Sequence, residues 1–137
     1  LTKVIFFIKL SKHFKKFAGK NMKTYWNQVE YHPTYDTFVP KMSGIYAVLR
    51  VERAIGIPIN LSVLYIGKSK NLQRRFRQHT NPYLEHNKAL NKLQSMNGLE
   101  FWFFQVGVEK LDELERKLIR ELIPVANIVR YAHGANN

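Results

Sequence analysis

Cysteine is absent from the 137 residues, which excludes disulfides, zinc–thiolate centres and thiol nucleophiles together, and leaves redox compartment unread. No apolar run approaches the roughly 18 residues that a membrane-spanning helix requires, so no membrane partner is expected. Acids are scarce: 10 Asp and Glu stand against 22 Lys and Arg, a net charge of +12, and an extended polyanion becomes the leading partner class. Internal repeats and low-complexity linkers are missing as well. What is present is material for one packed domain: 45% of the residues are hydrophobic and 13% aromatic, too much for a disordered chain.

The positive charge is uneven. Residues 1–29 hold seven lysines and no acid. Phe7, Leu10, Phe14 and Phe17 recur there at helical spacing with the lysines mostly on other faces. Four readings of this basic leader stand open: an arm on nucleic acid, an interfacial helix on anionic lipid, a targeting peptide, or a segment preceding a translation start at Met22. Further on, Arg53 to Leu84 contains no acid but includes Lys68, Lys70, Arg74, Arg75 and Arg77, a local positive surface.

Hydrophobic periodicity predicts the elements. Gly44–Arg53 alternates at period two, with Ile45, Ala47, Leu49 and Val51 on one face and Tyr46 on the other. Ala54–Asn60, with Gly56 and Pro58, reads as a connection to a second strand, Leu61–Gly67, in which Val63 and Tyr65 share a face. Polar caps at Lys68–Asn71 open a helix to His79, ended by Asn81–Pro82. A second helix over Leu84–Asn97, a third strand over Leu99–Gly107 and a last helix over Leu111–Ile123 complete an α+β fold: a small three-stranded sheet flanked by helices.

Two helices break their own pattern. Measured from Leu111 at 100° per residue, Leu114, Leu118, Leu122 and Ile119 fall at about 300°, 340°, 20° and 80°, and Glu115 falls among them at about 40°. A carboxylate aimed at a core needs a partner or a metal; an ion pair with an arginine, or a stripe running out to solvent at a sheet edge, would equally satisfy it. On the earlier helix, Arg75 and His79 border the apolar face set by Leu72 and Phe76, whereas Arg74 and Arg77 point away toward phosphate or water. Tyrosine is a poor base at its ordinary pKa of about 10 and improves only beside a cation, which links Tyr46 and Tyr65 to Arg75 and Glu115.

With these residues in order, the sequence resembles the GIY-YIG nuclease family. Gly44-Ile45-Tyr46 and Tyr65-Ile66-Gly67 match its two naming triplets, followed by Lys68-Ser69-Lys70-Asn71-Leu72, Arg75, His79, Glu115 and Asn127. The resemblance covers about Pro40 to Asn127. It divides the chain into a basic extension (1–39), a nuclease domain (40–130) and a tail (131–137). It implies divalent-metal-dependent endonuclease cutting of phosphodiesters, chiefly in DNA with RNA not excluded, by a phosphodiester hydrolase. The alternative is an inactive nucleic-acid-binding module of the same fold. By similarity, Glu115 holds one Mg²⁺ or Mn²⁺, Arg75 faces the scissile phosphate, Tyr46 activates the attacking water, Tyr65 supports it, and His79 joins proton transfer. Lys68, Lys70, Arg74, Arg77 and Asn127 are candidates for contacting the nucleic acid. A protein partner or self-association for targeting is a further expectation, as is a cytoplasmic location, nucleoid-associated in a bacterial or phage setting. The two tyrosines are separated by 18 residues, a longer connection than is usual in the family.

Overall fold

In the computed structural model, residues 26–93 and 96–127 are described; the readings of the basic leader up to residue 25 and of the tail fall outside them. The strands are β1 (Asn27–Glu30), β2 (Gly44–Ala54), β3 (Ile57–Ser69) and β4 (Leu99–Gln105). They form one antiparallel sheet in the order β1-β4-β2-β3. Helix α1 (Leu72–Thr80) follows β3, α2 (Lys88–Leu93) precedes β4, and α3 (Leu111–Leu122) comes after it, with 3₁₀ turns at Pro33–Phe38 and Val108–Lys110. The α+β class holds, with four strands in place of three. The extra strand, β1, is four mostly polar residues without apolar alternation, and it is a strand because β4 supplies its partners from Phe103 to Glu100.

Alternation in β2 distributes two cores. Ile45, Ala47, Leu49 and Val51 meet Trp102, Phe104 and the inner face of α3, Leu111, Leu114, Leu118 and Ile119. Tyr46 and Val48 meet Phe101, Phe103 and, from α1, Leu72 and Phe76. Both faces of the central strand are therefore covered, a period-two pattern apolar on both sides.

Two local expectations change. The Ala54–Asn60 connection is not a loop: β2 and β3 run on as one hairpin, closed by Ile55 and Gly56 at φ of 51° and 75°, the double positive-φ turn that fits strand twist. And Val63 and Tyr65 do not share a face. Val48 pairs with Tyr65 but Leu49 pairs with Val63, so a β-bulge at Leu64 shifts the alternation by one. Val63 packs with the α3 core and Tyr65 with the Tyr46 core. The bulge brings the two phenols together.

The helix expected over Leu84–Asn97 is reduced among the described residues to Lys88–Leu93. Residues 82–84 instead form a turn and 85–87 an irregular segment: Asn81 accepts from Tyr83 N through its side chain and from Leu84 N through its carbonyl, at 3.0 Å each.

Candidate active site

Tyr46 is the third residue of β2, 1% exposed, its ring stacked 5.0 Å from Phe101. Its cross-strand partner is Gly67. A Cβ on Gly67 would lie 2.3 Å from both Cζ and the hydroxyl of Tyr46, so the glycine of the second triplet is the space the phenol occupies. Gly44, in the first triplet, is similarly committed: a Cβ there would meet the Phe104 carbonyl at 2.2 Å. Gly67→Ala is expected to push the phenol from its seat and to destabilise the fold by about 1–3 kcal/mol, as overpacking does; thermal melting and a cutting assay on the same preparation check it.

The Tyr46 hydroxyl lies 2.7 Å from His79 Nε2, and the Tyr65 ring lies 6.0 Å from that of Tyr46 and 5.5 Å from the imidazole. Helix α1 delivers His79 because Asn71 caps its start, accepting from Arg74 N at 3.0 Å, and because Leu72 and Phe76 are fully buried. The Tyr31 hydroxyl then holds the His79 carbonyl at 2.9 Å. On its other side, His79 Nδ1 is hydrogen-bonded to the Glu85 carboxylate.

Charge surrounds the phenols. Burial pushes the Tyr46 phenol well above its usual pKa, Tyr65 adds to this, and Arg75 opposes it. Tyr65 is also raised by burial, with the hydrogen bond to Tyr46 and the charge of Arg75 opposing, and Glu115 and Glu85 reinforcing. Arg75 and Glu115 therefore act electrostatically on both tyrosines, which form one cluster with His79. Among the described residues, the Arg75 guanidinium makes no hydrogen bond or ion pair, leaving its donors for an anion.

Glu115 has a partner, but a lysine where an arginine was considered. Its side chain, 16% exposed, is 3.8 Å from Lys68 Nζ, which also pairs with Asp112. Burial nonetheless raises the Glu115 carboxyl above its ordinary value, only partly offset by the Lys68 charge and backbone N–H. No three His, Asp or Glu side chains gather as a metal cage among the described residues. A single half-buried carboxylate of raised proton affinity fits a hard divalent ion that keeps several waters and takes one or two protein oxygens plus substrate phosphate.

The candidate nucleic-acid contacts separate. Lys70 and Arg74 are exposed. Arg77 pairs with Asp36 at 2.7 Å, and Lys68 is held by Asp112 and Glu115 of α3. Asn127 pairs its carboxamide with the backbone of Ile66, accepting from N at 2.9 Å and donating to O at 2.8 Å, so it extends the ladder at the β3 edge beside Tyr65. Sequence reasoning missed Glu85. Its signal was there: it is the first acid after the acid-free stretch, six residues beyond His79. A separate cavity of about 680 Å³ opens beside Tyr31, Tyr35 and Phe38 and includes none of Tyr46, Tyr65, Arg75, His79 and Glu115.

The family model described as the GIY-YIG catalytic domain matches residues 42–127. The chain belongs to the GIY-YIG nuclease family. Its class of enzyme is accordingly that of an endonuclease, a phosphodiester hydrolase. Among curated proteins, this GIY-YIG chain is 29% identical over 91 residues to the UvrABC system protein C of Fusobacterium nucleatum, covering 66% of this chain and 14% of that protein. It is 34% identical over 90 residues to that of Rickettsia rickettsii, covering 66% and 12%. The chain thus spans only a small fraction of the curated relatives it matches. Among solved structures it is similar to the GIY-YIG N-terminal endonuclease domain of UvrC from Thermotoga maritima bound to magnesium as its catalytic divalent cation. Identity is 27% and the TM-score 0.45, with 69% of this chain and 93% of that one covered. A point mutant of the same domain gives 27% and 0.46, covering 70% and 93%.

Proposed function

We propose that this chain is a divalent-metal-dependent endonuclease acting on DNA, with Tyr46, Tyr65, Arg75, His79 and Glu115 as its working residues. The observation that carries the reading is the cluster of two phenols and an imidazole at one end of β2 and β3, with the half-buried Glu115 carboxylate and the Arg75 guanidinium, which makes no hydrogen bond or ion pair among the described residues, acting on both phenols. When bound, Mg²⁺ or Mn²⁺ at Glu115 supplies Lewis-acid stabilisation of the charge developing on phosphate. Arg75 holds the phosphate and neutralises its equatorial oxygens. Tyr46 orients the attacking water and takes its proton, passing its own toward His79, while Tyr65 keeps the Tyr46 ring and the imidazole in place. Exposed Lys70 and Arg74 lie near the site on the acid-free stretch and contact flanking phosphates. Asn127 holds the Tyr65 segment of β3 from behind.

The test is incubation of supercoiled plasmid, branched DNA and RNA with Mg²⁺, Mn²⁺ or EDTA, with the ends mapped. Divalent-dependent cutting of DNA is the expected result. Salt-sensitive binding without scission under any divalent ion would overturn the reading in favour of an inactive binding module. Preferential cutting of RNA would overturn the substrate assignment alone.

A further inference from the structure

Glu85 has no role in the proposed chemistry so far, yet it is placed at its centre. The side chains of His79 and Glu85 are 6% and 4% exposed. Burying a carboxylate beside an imidazole is weak evidence for stability, because an apolar pair of like size usually serves as well. The geometry argues for something else. Glu85 uses one oxygen on His79 Nδ1 and the other to accept from Asn87 N at 2.9 Å. Asn87 in turn donates to the Ala126 carbonyl at 2.7 Å and caps α2 through Leu90 N at 3.0 Å. Ala126 N is bonded to Leu64 O at 2.8 Å. The carboxylate is therefore delivered to the histidine by a chain of hydrogen bonds anchored in β3, next to Tyr65. Burial raises the Glu85 carboxyl, but the His79 hydrogen bond, the charge of His79 whenever the imidazole is protonated, the Asn87 N–H and Arg75 outweigh it and hold it below its ordinary value. An ionised carboxylate only accepts.

We propose that Glu85 is a positioning residue for proton removal at Tyr46: by accepting the Nδ1 proton it fixes the His79 tautomer, so that Nε2 presents its lone pair to the phenol. The proposal rests on the endonuclease reading. In the step, the Tyr46 O–H bond breaks as an Nε2–H bond forms. The phenolate oxygen takes a proton from the water whose oxygen is bonding to phosphorus, and the leaving oxygen departs with its electron pair and is protonated from solvent. Glu85 stays ionised throughout and faces the imidazolium, as the buried aspartate does in serine proteases.

Among the described residues, the groups around the imidazole include Tyr46 from β2, Tyr65 from β3 and Glu85 after α1, with Tyr31 on the His79 carbonyl and Arg75, on the same helix, acting on Glu85. The experiment compares the full chain with Glu85→Gln and Glu85→Asp, by plasmid cutting across pH and by ¹⁵N NMR of labelled histidine. Glu85→Gln is expected to lower kcat about 100-fold near neutrality, within the range for general-base catalysis. The loss narrows as pH rises and hydroxide replaces the relay, and the Nδ1-protonated signal of His79 is lost. Glu85→Asp, which keeps the charge, restores part of kcat and the wild-type pH profile. A Glu85→Gln variant with wild-type kcat and pH profile, or with an unchanged His79 tautomer, would overturn the proposal. A wild-type chain that cuts nothing would instead overturn the endonuclease reading, and the relay with it, whatever the tautomer.

Discussion

Glu115→Gln is expected to abolish cutting, by about 10³-fold or more, since a metal site supplies several kcal/mol of transition-state stabilisation at 1.36 kcal/mol per tenfold. The same variant is expected to be slightly more stable than wild type in EDTA. Burial raises the Glu115 carboxyl, so the folded chain binds that proton more tightly than the unfolded chain. The group's contribution to stability is therefore greatest below the unfolded pKa and declines as pH rises through the raised folded value. Above that window the ionised carboxylate is a standing cost, which the amide removes. Glu85 and Asp112, whose carboxyls are lowered, change in the opposite sense. The useful quantity is therefore the difference between the wild-type and Glu115→Gln melting curves, followed from about pH 4 to 7 around the reference carboxylate range. Mg²⁺ or Mn²⁺ should raise the wild-type Tm and leave that of the variant unmoved. Retained cutting, or an equal metal-induced shift in both proteins, would remove Glu115 from the metal role.

Tyr46→Phe is expected to lower kcat by about 10²–10⁴, the span associated with a general base, with little change in KM. The ring keeps its stacking on Phe101 and its contact with Tyr65, so the fold survives. Removing the hydroxyl takes away the buried hydrogen bond to His79 Nε2 that stood at 2.7 Å, worth about 0.5–1.5 kcal/mol. The melting temperature should fall by several degrees, and the loss of kcat should far exceed what that fall explains. Tyr65→Phe is the informative companion, because Tyr65 is only partly buried and supports the site from its edge: a smaller loss is expected there. Single-turnover cutting with both variants checks the ranking, and equal losses would move the base role away from Tyr46.

Local pattern carried much of this architecture and left identifiable gaps. The stripe on α3 was readable because its neighbours are separated by three and four residues, and Glu115 stood out against it. Its actual partner was not readable, since Lys68 lies 47 residues away at the end of another strand. Tyr65 was assigned to the right strand and the wrong companion face, because a bulge is a property of how two strands pair and leaves little trace in either one alone. Strand β1 shows no alternation and exists through β4. Glu85 was absorbed into a helix by its apolar neighbours, whereas Asn81 and Asn87 hold those residues in a turn and an irregular segment.

The order of residue types along the chain was enough to name the family and to single out candidate site residues, since triplet spacing, caps and periodicity all act over a few residues. Which of those side chains touch, which are neutralised, and which one orients the imidazole depended on pairings across the sheet and between distant helices. Such pairings arise only when the chain closes on itself, because hydrogen bonds and charges act over a few ångströms in space and are indifferent to separation in sequence.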